Sequence, residues 1–182
     1  LEMHAKKGPK FREPLRTASD IKKLRVPDPI RDLNYVMETI RITRNELKDQ
    51  VPLVGFSGSP WTLATYMIEK KSQDNFHDIK KLLYEEPSTL QHLLDILAES
   101  VAIYLAAQVK AGAQALMIFD TWGGILAYAD FVPFSLLPIS SIITHLKSDS
   151  KTSEIPIILF TKGGNPWIVE IADTGCAAIS CD

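Results

Sequence analysis

Cysteine is scarce in this sequence, since Cys176 and Cys181 are the only two among 182 residues. Two cysteines near one end of a chain cannot form the disulfide framework that stabilises small secreted domains. They lie around a strand-like segment, where cysteine is more often a small core residue than a metal ligand. This composition excludes a disulfide-rich secreted domain, and we expect a cytoplasmic protein.

An excess of positive charge is also lacking. The 22 acidic residues outnumber the 20 basic ones, which gives a net charge of -2. Nucleic-acid-binding domains usually carry a strong positive field. A short basic cluster, at Lys6, Lys7, Lys10 and Arg12, is typical of a solvated loop. We therefore expect no nucleic-acid partner.

No uninterrupted apolar run approaches the ~20 residues that cross a bilayer, so we expect no membrane partner. The first residues lack the basic-then-apolar pattern of a signal peptide. The sequence does not begin with Met, and its last residues directly follow an apolar strand-like segment. We interpret it as an internal piece of a longer protein.

Histidine is rare and is not arranged as a metal site. His4, His77, His92 and His145 form no His-x-x-x-His pair. Isolated histidines on loops and exposed helix positions are usually surface residues, and zinc needs several ligands at defined spacing. The sequence therefore predicts no metal centre.

What the sequence does contain is a regular alternation of short apolar segments with helical patterns. Strands are predicted at 51–56, 115–119, 155–160 and 177–181. One long helix is predicted to start at Asp28-Pro29 and another helix at Ser59-Pro60. Two more helices are predicted from about Asp74 to Pro87 and from there to Gly112. The last two are predicted at 128–147, with a shift or kink at Pro133 and Pro138, and at 166–174. A polar residue followed by Pro predicts a helix start, because it supplies the cap and a fixed φ angle.

This order predicts an α/β fold with a parallel sheet covered by helices. Residues 1–182 form one partial domain, in which 1–27 is mostly loop with one short helix and 28–182 holds about four βα units. A complete (β/α)8 TIM barrel takes ~250 residues. The best single description is therefore about the central half of such a barrel.

Polar residues follow the predicted strands where each apolar run stops. Asp120 and Thr121 precede a Gly-Gly pair, and 51–60 and 157–164 have the same layout. Right-handed crossovers place the carboxyl ends of parallel strands at one edge, where α/β proteins build their sites. Asp120 is expensive to bury without a partner. The pattern leaves open whether it is a functional group or a structural acceptor for loop amides.

Three other residues near strand ends have two interpretations each. Ser57 resembles a nucleophile elbow, but a serine stands where that motif needs its last glycine, so a serine hydrolase is disfavoured. Lys162, before a glycine pair, suits either an anion-binding nest or a solvated lysine. Tyr66 either packs near Trp61 and Leu63 or holds a catalytic carboxylate by hydrogen bonding.

Three long segments resemble the uroporphyrinogen decarboxylase family. They read Val-Pro-Leu-Val-Gly-Phe-Ser-Gly-Ser-Pro-Trp-Thr-Leu-Ala-Thr-Tyr-Met at 51–67, Ala-Gly-Ala-Gln-Ala-Leu-Met-Ile-Phe-Asp-Thr-Trp-Gly-Gly at 111–124 and Ile-Leu-Phe-Thr-Lys-Gly-Gly at 158–164. Gly-Pro-Lys-Phe at 8–11 and Val-Pro-Asp-Pro at 26–29 also fit the family. The resemblance runs through the whole chain in order.

The resemblance implies a (β/α)8-barrel lyase that needs no cofactor and is usually a homodimer, of which this chain covers roughly strands three to six. Such an enzyme converts the four acetate side chains of uroporphyrinogen III, a tetrapyrrole substrate, to methyl groups and forms coproporphyrinogen III. Tyr66 matches the family tyrosine that hydrogen-bonds the pocket's key aspartate. Thr121 matches the Ser/Thr that contacts the substrate.

The catalytic residues implied by the resemblance are absent from residues 1–182. These are the Arg-Gln-Ala-Gly-Arg segment that grips substrate carboxylates, the central aspartate that faces the pyrrole N–H groups, and the histidine of a Gly-His-Gly segment. We therefore expect the chain alone to be inactive. Two alternatives are a cobamide-dependent methyltransferase of the same superfamily, which would need a later His-x-Cys and Cys, and a non-catalytic barrel domain.

Overall fold

A computed structural model describes residues 14–69 and 75–182, together with the backbone of 2–4 and 8–10. The side chains of the predicted basic cluster, of His4 and of the start of the helix predicted at Asp74 lie outside the described residues.

Four parallel strands in sequence order form the main sheet. The strands of the described residues are β1 Glu2–His4, β2 Gly8–Lys10, β3 Val54–Gly58, β4 Ala115–Asp120, β5 Ile157–Thr161 and β6 Ala178–Ser180. In the sheet the order is β3-β4-β5-β6. The register sets Val54 beside Ala115, and Leu116 beside Ile157. All four carboxyl ends therefore meet at one edge.

Helical segments connect each strand of this sheet to the next. The α-helices of the described residues are α1 Ala18–Lys22, α2 Pro29–Asp32, α3 Asn34–Leu47, α4 Pro60–Ile68, α5 His77–Glu85, α6 Pro87–Ala111, α7 Tyr128–Phe131, α8 Leu137–Ser148 and α9 Ile168–Ala172. Short 3-10 turns at Gly123–Ile125 and Asn165–Trp167 precede α7 and α9. The repeated βα order confirms the predicted α/β class, and four neighbouring parallel strands are half of a (β/α)8 barrel.

The start of the helix after β3 is fixed by its sequence. Ser59 has extended backbone angles and its Oγ accepts from the Thr62 N–H at 3.0 Å, while Pro60 occupies the first helical position. This is the predicted cap followed by proline, and it turns the chain from sheet into helix within two residues of β3.

The prediction of one long helix from Asp28-Pro29 is wrong in one respect. Asp28 does cap a helix, but α2 ends at Asp32, and Leu33 (φ -131°, ψ 24°) separates it from α3. The Asp32 carboxylate accepts from the Asp28 N–H at 3.0 Å, which closes α2 on itself. Short acidic side chains compete for main-chain donors in this way and favour helix ends over helix interiors.

Little of α2 and α3 is buried. Ile30 is 56% exposed, and Met37 is the one residue of α2 and α3 that is fully buried. Met37 packs on Ala107 and Ala111 of α6, whose small side chains let α3 approach closely.

The chain before α1 contains one element that the sequence did not predict. Residues 1–27 were expected to be mostly loop with one short helix. Besides α1, the structure contains the strands β1 and β2 of three residues each, which pair antiparallel with Met3 opposite Pro9. Thr17 and Asp20 form a reciprocal capping box at the start of α1.

Helix α6 forms the centre of the hydrophobic core. It begins with Pro87 and ends at Gly112 (φ 123°), as the sequence predicted. Its apolar side packs on α4, α8 and β3. By length and composition alone, α6 and the helical stretch 128–148 are apolar enough to cross a membrane. The core helix of a water-soluble protein passes the same test, so no membrane is indicated.

The predicted kink in the helix after β4 takes the form of a π-helix at Val132–Leu136, between α7 and α8. The Leu137 N–H bonds to the Val132 carbonyl, five residues back, at this turn. Pro133 and Pro138 lack the N–H groups that an α-helix would use here, so the regular pattern of bonds four residues back cannot continue through this stretch.

In the part of the chain that the structure describes, the helices cover one face of the sheet. In β4, Leu116, Ile118 and Asp120 are buried against the helices, whereas Met117 and Phe119 alternate with them on the other side. The sequence predicted a sheet covered by helices without distinguishing its two faces. In a complete barrel, this second face points to the interior.

A row of aromatic rings crosses this open face. We call Phe56, Phe119 and Phe160 the phenylalanine row. Its neighbouring ring centroids are 5.9 Å and 6.0 Å apart in edge-to-face arrangements. Phe56 is 61% exposed at one end of the row. Rings in this geometry attract each other beyond their area of contact, so the row stiffens the face.

Gln108 of α6 fastens β3 to the core. It is buried, its Nε2 donates to the Phe56 carbonyl at 2.9 Å, and its Oε1 accepts from the Phe56 N–H at 3.0 Å. The side chain thus makes both hydrogen bonds that a neighbouring strand would make. Gly55 is required beside it, because a Cβ there would lie 2.7 Å from Gln108 Oε1.

Replacement of Gln108 by Ala should lower the free energy of unfolding by about 1–3 kcal/mol, because two main-chain groups lose their partner. Urea unfolding of the full-length protein that contains this chain would measure the change. Gln91→Ala is the matched control, because Gln91 of the same helix is half-buried and its Nε2 bonds to the Asp95 side chain rather than to the main chain; it should stay within about 0.5 kcal/mol of the parent. Equal effects of both variants would contradict the role given to Gln108.

Candidate functional site at the strand ends

The carboxyl ends of β3, β4 and β5 meet at a cluster of polar side chains. Ser59 follows β3, Asp120 ends β4 and Thr161 ends β5. The Ser59 N–H donates to the Phe119 carbonyl at 2.8 Å, and the Lys162 N–H donates to the Asp120 carbonyl at 3.3 Å. These bonds extend the sheet into the segments that follow it.

The carboxyl group of Asp120 is the centre of this cluster. It has no exposure to solvent. Oδ1 accepts from Ser59 Oγ at 2.6 Å and Thr62 Oγ1 at 3.3 Å, and Oδ2 accepts from Ser135 Oγ at 2.7 Å and Thr161 Oγ1 at 3.4 Å. The sequence left a structural role for Asp120 open, with loop amides as donors. The structural role is present, but the donors are hydroxyl groups, and the Trp122 and Gly124 N–H groups bond instead to Thr62 Oγ1 and the Lys162 carbonyl.

The environment of Asp120 determines its affinity for a proton. Removal from water disfavours the charged form and raises the pKa of the Asp120 carboxyl, and the four hydroxyl donors lower it less than burial raises it. A buried carboxyl with hydroxyl neighbours can be held neutral or charged, because a hydroxyl can either donate or accept.

The Gly-Gly pair after Trp122 makes room for protein atoms. A Cβ on Gly123 would lie 2.0 Å from Asp120 Oδ2, and a Cβ on Gly124 would lie 2.4 Å from the Lys162 carbonyl oxygen. These glycines allow the turn to pass over Asp120 and alongside the segment after β5.

Thr121 and Tyr66 lie at neighbouring positions of this edge. Thr121 is half-buried, and Tyr66 of α4 is 45% exposed. The ring of Tyr66 packs edge-on against Trp122, with centroids 6.3 Å apart. Trp122 is fixed in turn, because its carbonyl accepts from Trp61 Nε1 at 2.8 Å and its N–H donates to Thr62 Oγ1 at 3.3 Å. Tyr66 therefore packs on the segment that directly follows β4.

The predicted anion-binding nest after β5 is filled by the chain itself. Gly163 has a left-handed backbone (φ 69°), and its N–H donates to both carboxyl oxygens of Asp182 at 3.1 Å. The side chain of Lys162 is exposed. Of the two interpretations of Lys162, the geometry favours a solvated lysine.

Neither a serine nucleophile nor a metal site is found in the part of the chain that the structure describes. Ser57 is buried and donates to the carbonyl of Gly58 at 3.1 Å. His77, His92 and His145 are all exposed. The described residues contain no group of three or more His, Cys, Asp or Glu side chains placed to hold a metal ion.

Sequence reasoning missed the partners of Asp120. Ser59 was identified only as a helix cap, and Thr62, Ser135 and Thr161 were not identified at all. The one available signal is Ser135, a polar residue inside an apolar helical stretch between two prolines. Hydroxyl groups carry no spacing pattern that would show they converge on one carboxylate.

Half of a parallel (β/α)8 barrel with polar residues at its strand ends defines the class of this protein. A methyltransferase from Methanosarcina mazei has the same fold over 88% of this chain and 45% of its own, with a TM-score of 0.72 and 24% sequence identity. That degree of identity shows the fold alone.

The chain belongs to the uroporphyrinogen decarboxylase family, whose model matches residues 1–182. It is 52% identical to uroporphyrinogen decarboxylase from Mannheimia succiniciproducens and 51% identical to that from Escherichia coli O157:H7, in both cases over all 182 residues and 51% of the relative's length. The Nitrosococcus oceani enzyme is 51% identical over 175 residues, 96% of this chain and 49% of its own. The chain spans about half the length of these curated relatives, and the resemblance seen in the sequence is confirmed.

The raised pKa of Asp120 predicts how its replacement changes the pH dependence of stability. The folded protein holds the Asp120 proton more tightly than the unfolded chain, so ionisation at higher pH costs folding free energy. The unfolding free energy of the parent minus that of Asp120→Asn should therefore fall as pH rises above about 4, the unfolded pKa. Urea unfolding at several values between about pH 4 and pH 8 would measure this difference. A difference that is constant, or that rises with pH, would contradict the prediction.

Proposed function

We propose that the protein containing this chain is a uroporphyrinogen decarboxylase, a carboxy-lyase that converts the four acetate side chains of uroporphyrinogen III to methyl groups. The product is coproporphyrinogen III, with release of carbon dioxide. The observation that carries this proposal is about 50% identity, along the whole chain, to relatives that bear that name. Membership of the family supports a tetrapyrrole as the substrate.

Within this proposal, Tyr66 and Thr121 are the residues at the strand ends that bind the substrate. Both have accessible surface at the carboxyl end of a parallel sheet, where barrel enzymes carry their active sites. The contact between Tyr66 and Trp122 supports this assignment, since it keeps the phenol beside the segment that carries Thr121. The phenylalanine row below them supplies an apolar wall on the same side as the barrel interior.

The chemistry needs groups that this chain does not contain. Loss of carbon dioxide from an arylacetate leaves a carbanion, which requires an electron sink. A protonated pyrrole ring supplies one, and a fixed carboxylate beside the ring N–H groups would stabilise that cation. Arginines would orient the anionic substrate. By the family resemblance, the carboxylate and the arginines lie outside residues 1–182, so this chain contributes walls and orientation and has no catalytic residue of its own.

Three further properties belong to the same proposal. The intact protein is a cytoplasmic homodimer and acts in haem and tetrapyrrole biosynthesis. Support comes from the family, from the scarcity of cysteine and from the packing of the apolar helices into the core.

The proposal predicts that the full-length protein converts uroporphyrinogen III to coproporphyrinogen III, whereas residues 1–182 alone give no product above the uncatalysed background. The reason is that the chain keeps the pocket wall and lacks the charged groups. Separation of the porphyrins after oxidation of the reaction mixture would measure both. A chimera in which residues 1–182 replace the matching half of the Escherichia coli O157:H7 relative is the control for this half, and it should be active.

An inactive full-length protein would refute the proposed activity. An inactive chimera beside an active full-length protein would show only that the two halves are incompatible. Turnover by residues 1–182 alone would overturn the view that the catalytic groups lie elsewhere.

Removal of either proposed substrate contact should lower kcat/KM of the full-length enzyme. Thr121→Val and Tyr66→Phe each delete one hydroxyl group, and loss of one hydrogen bond corresponds to about a three- to tenfold change. Thr121→Ser keeps the hydroxyl and should retain most of the activity. Thr144→Val and Tyr35→Phe, at exposed positions of α8 and α3, are matched controls. Unchanged kinetics of either site variant would remove that residue from the site.

A further inference from the structure

The proposed reaction gives a role to Thr121 but none to Asp120, the most elaborately bonded side chain of the strand-end edge. Its carboxyl group receives hydrogen bonds from Ser59 and Thr62 on one oxygen and from Ser135 and Thr161 on the other. The donors belong to three different parts of the fold, namely the start of α4, the π-helix and the end of β5. A residue that merely ended β4 would need none of these.

The geometry excludes contact between Asp120 and a substrate. Its side chain is fully buried on the helix-covered face of β4, together with Leu116 and Ile118. The Cα of Gly123 covers Oδ2 so closely that a Cβ there would meet it at 2.0 Å. The next residue, Thr121, lies in the turn beyond β4 and is half-buried, so part of its surface is accessible.

We propose that Asp120 is a positioning residue for Thr121: the four hydroxyl groups fix its carboxyl, and the fixed carboxyl holds the turn 121–124 so that the Thr121 hydroxyl stays at the open side of the strand end. This inference rests on the proposed function, since that function supplies the substrate of Thr121.

Hydrogen bonds fix the main chain of the turn on both sides of Thr121. Thr62 donates to Asp120 with the same oxygen that accepts from the Trp122 N–H, so one hydroxyl joins the carboxyl to the residue after Thr121. Before Thr121, the Asp120 carbonyl accepts from the Lys162 N–H. Thr121 is therefore held between two anchored peptide groups, and a short, strongly anchored segment is what preorganisation of a binding hydroxyl requires.

The π-helix has a part in this arrangement. Ser135 is fully buried within it and makes one of the two short bonds to Asp120, at 2.7 Å. The wide turn at Pro133 and Pro138 contains Ser135 and sets the direction in which the Ser135 side chain points from the helix. π-turns inserted in α-helices are frequent at functional sites. Here the turn carries the serine that bonds to Asp120.

A double-mutant cycle in the full-length enzyme tests the proposal. The variants are Asp120→Asn, Thr121→Val and the two combined, and kcat, KM and Tm are measured for each. Asn has nearly the same shape as Asp but cannot accept all four hydroxyl donors. If Asp120 acts through Thr121, D120N should lower kcat/KM by no more than T121V does, about three- to tenfold. The combined variant should then be no worse than T121V alone, whereas Tm should fall by the same amount in both backgrounds.

A second pair of variants guards against failure of D120N to fold. Ser135→Ala removes one hydroxyl of the cluster, far along the chain from Thr121, and should lower kcat/KM in the parent but not in the T121V background. Thr152→Val is the matched control. Thr152 is equally buried and lies in the turn before β5, at the opposite end of β5 from Thr161. Its hydroxyl bonds to the carbonyl of Leu146 in α8. It should lower Tm and leave kcat/KM unchanged.

Each outcome decides the question. If the parent is active and the losses from D120N or S135A multiply with that from T121V, the positioning role is wrong, because a purely structural defect would lower activity equally in both backgrounds. A loss from D120N much larger than that from T121V would also overturn it. If the parent has no decarboxylase activity, the proposed function fails, and the inference about Thr121 fails with it.

Discussion

Burial of the Asp120 carboxyl is the constraint on which the strand-end region depends. A carboxyl group removed from water costs several kcal/mol unless it is neutralised or fully hydrogen-bonded, and this one is surrounded by four hydroxyl groups from three parts of the fold. The hydroxyls must be brought there by the cap of α4, by the wide turn before α8 and by the end of β5. The positions of these elements are thus linked through one side chain.

The two faces of the sheet have different physical roles. The helix-covered face holds the packed core and the Asp120 cluster, so its side chains set stability and geometry. The other face carries the phenylalanine row. In relatives about twice as long, the same face would point to the barrel interior. A substrate that enters such a barrel would meet apolar rings below and polar groups at the rim.

Much of the fold could be predicted from the sequence, since it depends on local signals. Apolar runs bounded by polar residues identified all four strands of the main sheet, and polar-Pro pairs identified the starts of α2 and α4. The break at Leu33 could not be predicted from hydrophobic spacing, because Ile30 and Met37 fit one continuous helix. The break comes from the bond between Asp32 and the Asp28 N–H.

The partners of Asp120 could not be predicted either, since Ser59, Ser135 and Thr161 converge only after the chain has folded. Position at a strand end drew attention to Thr121 and Tyr66, but their roles as substrate contacts came from resemblance to the family.

The contacts of Gly123 and Gly124 limit how this site can change during evolution. The space that a side chain would need at either position is already occupied by Asp120 Oδ2 or by the Lys162 carbonyl oxygen. A mutation to any larger residue would displace the buried carboxyl or the segment after β5 before it reached a ligand. Selection for a different substrate therefore has few routes through this turn, because a side chain at either glycine position requires the Asp120 carboxyl or the segment after β5 to move.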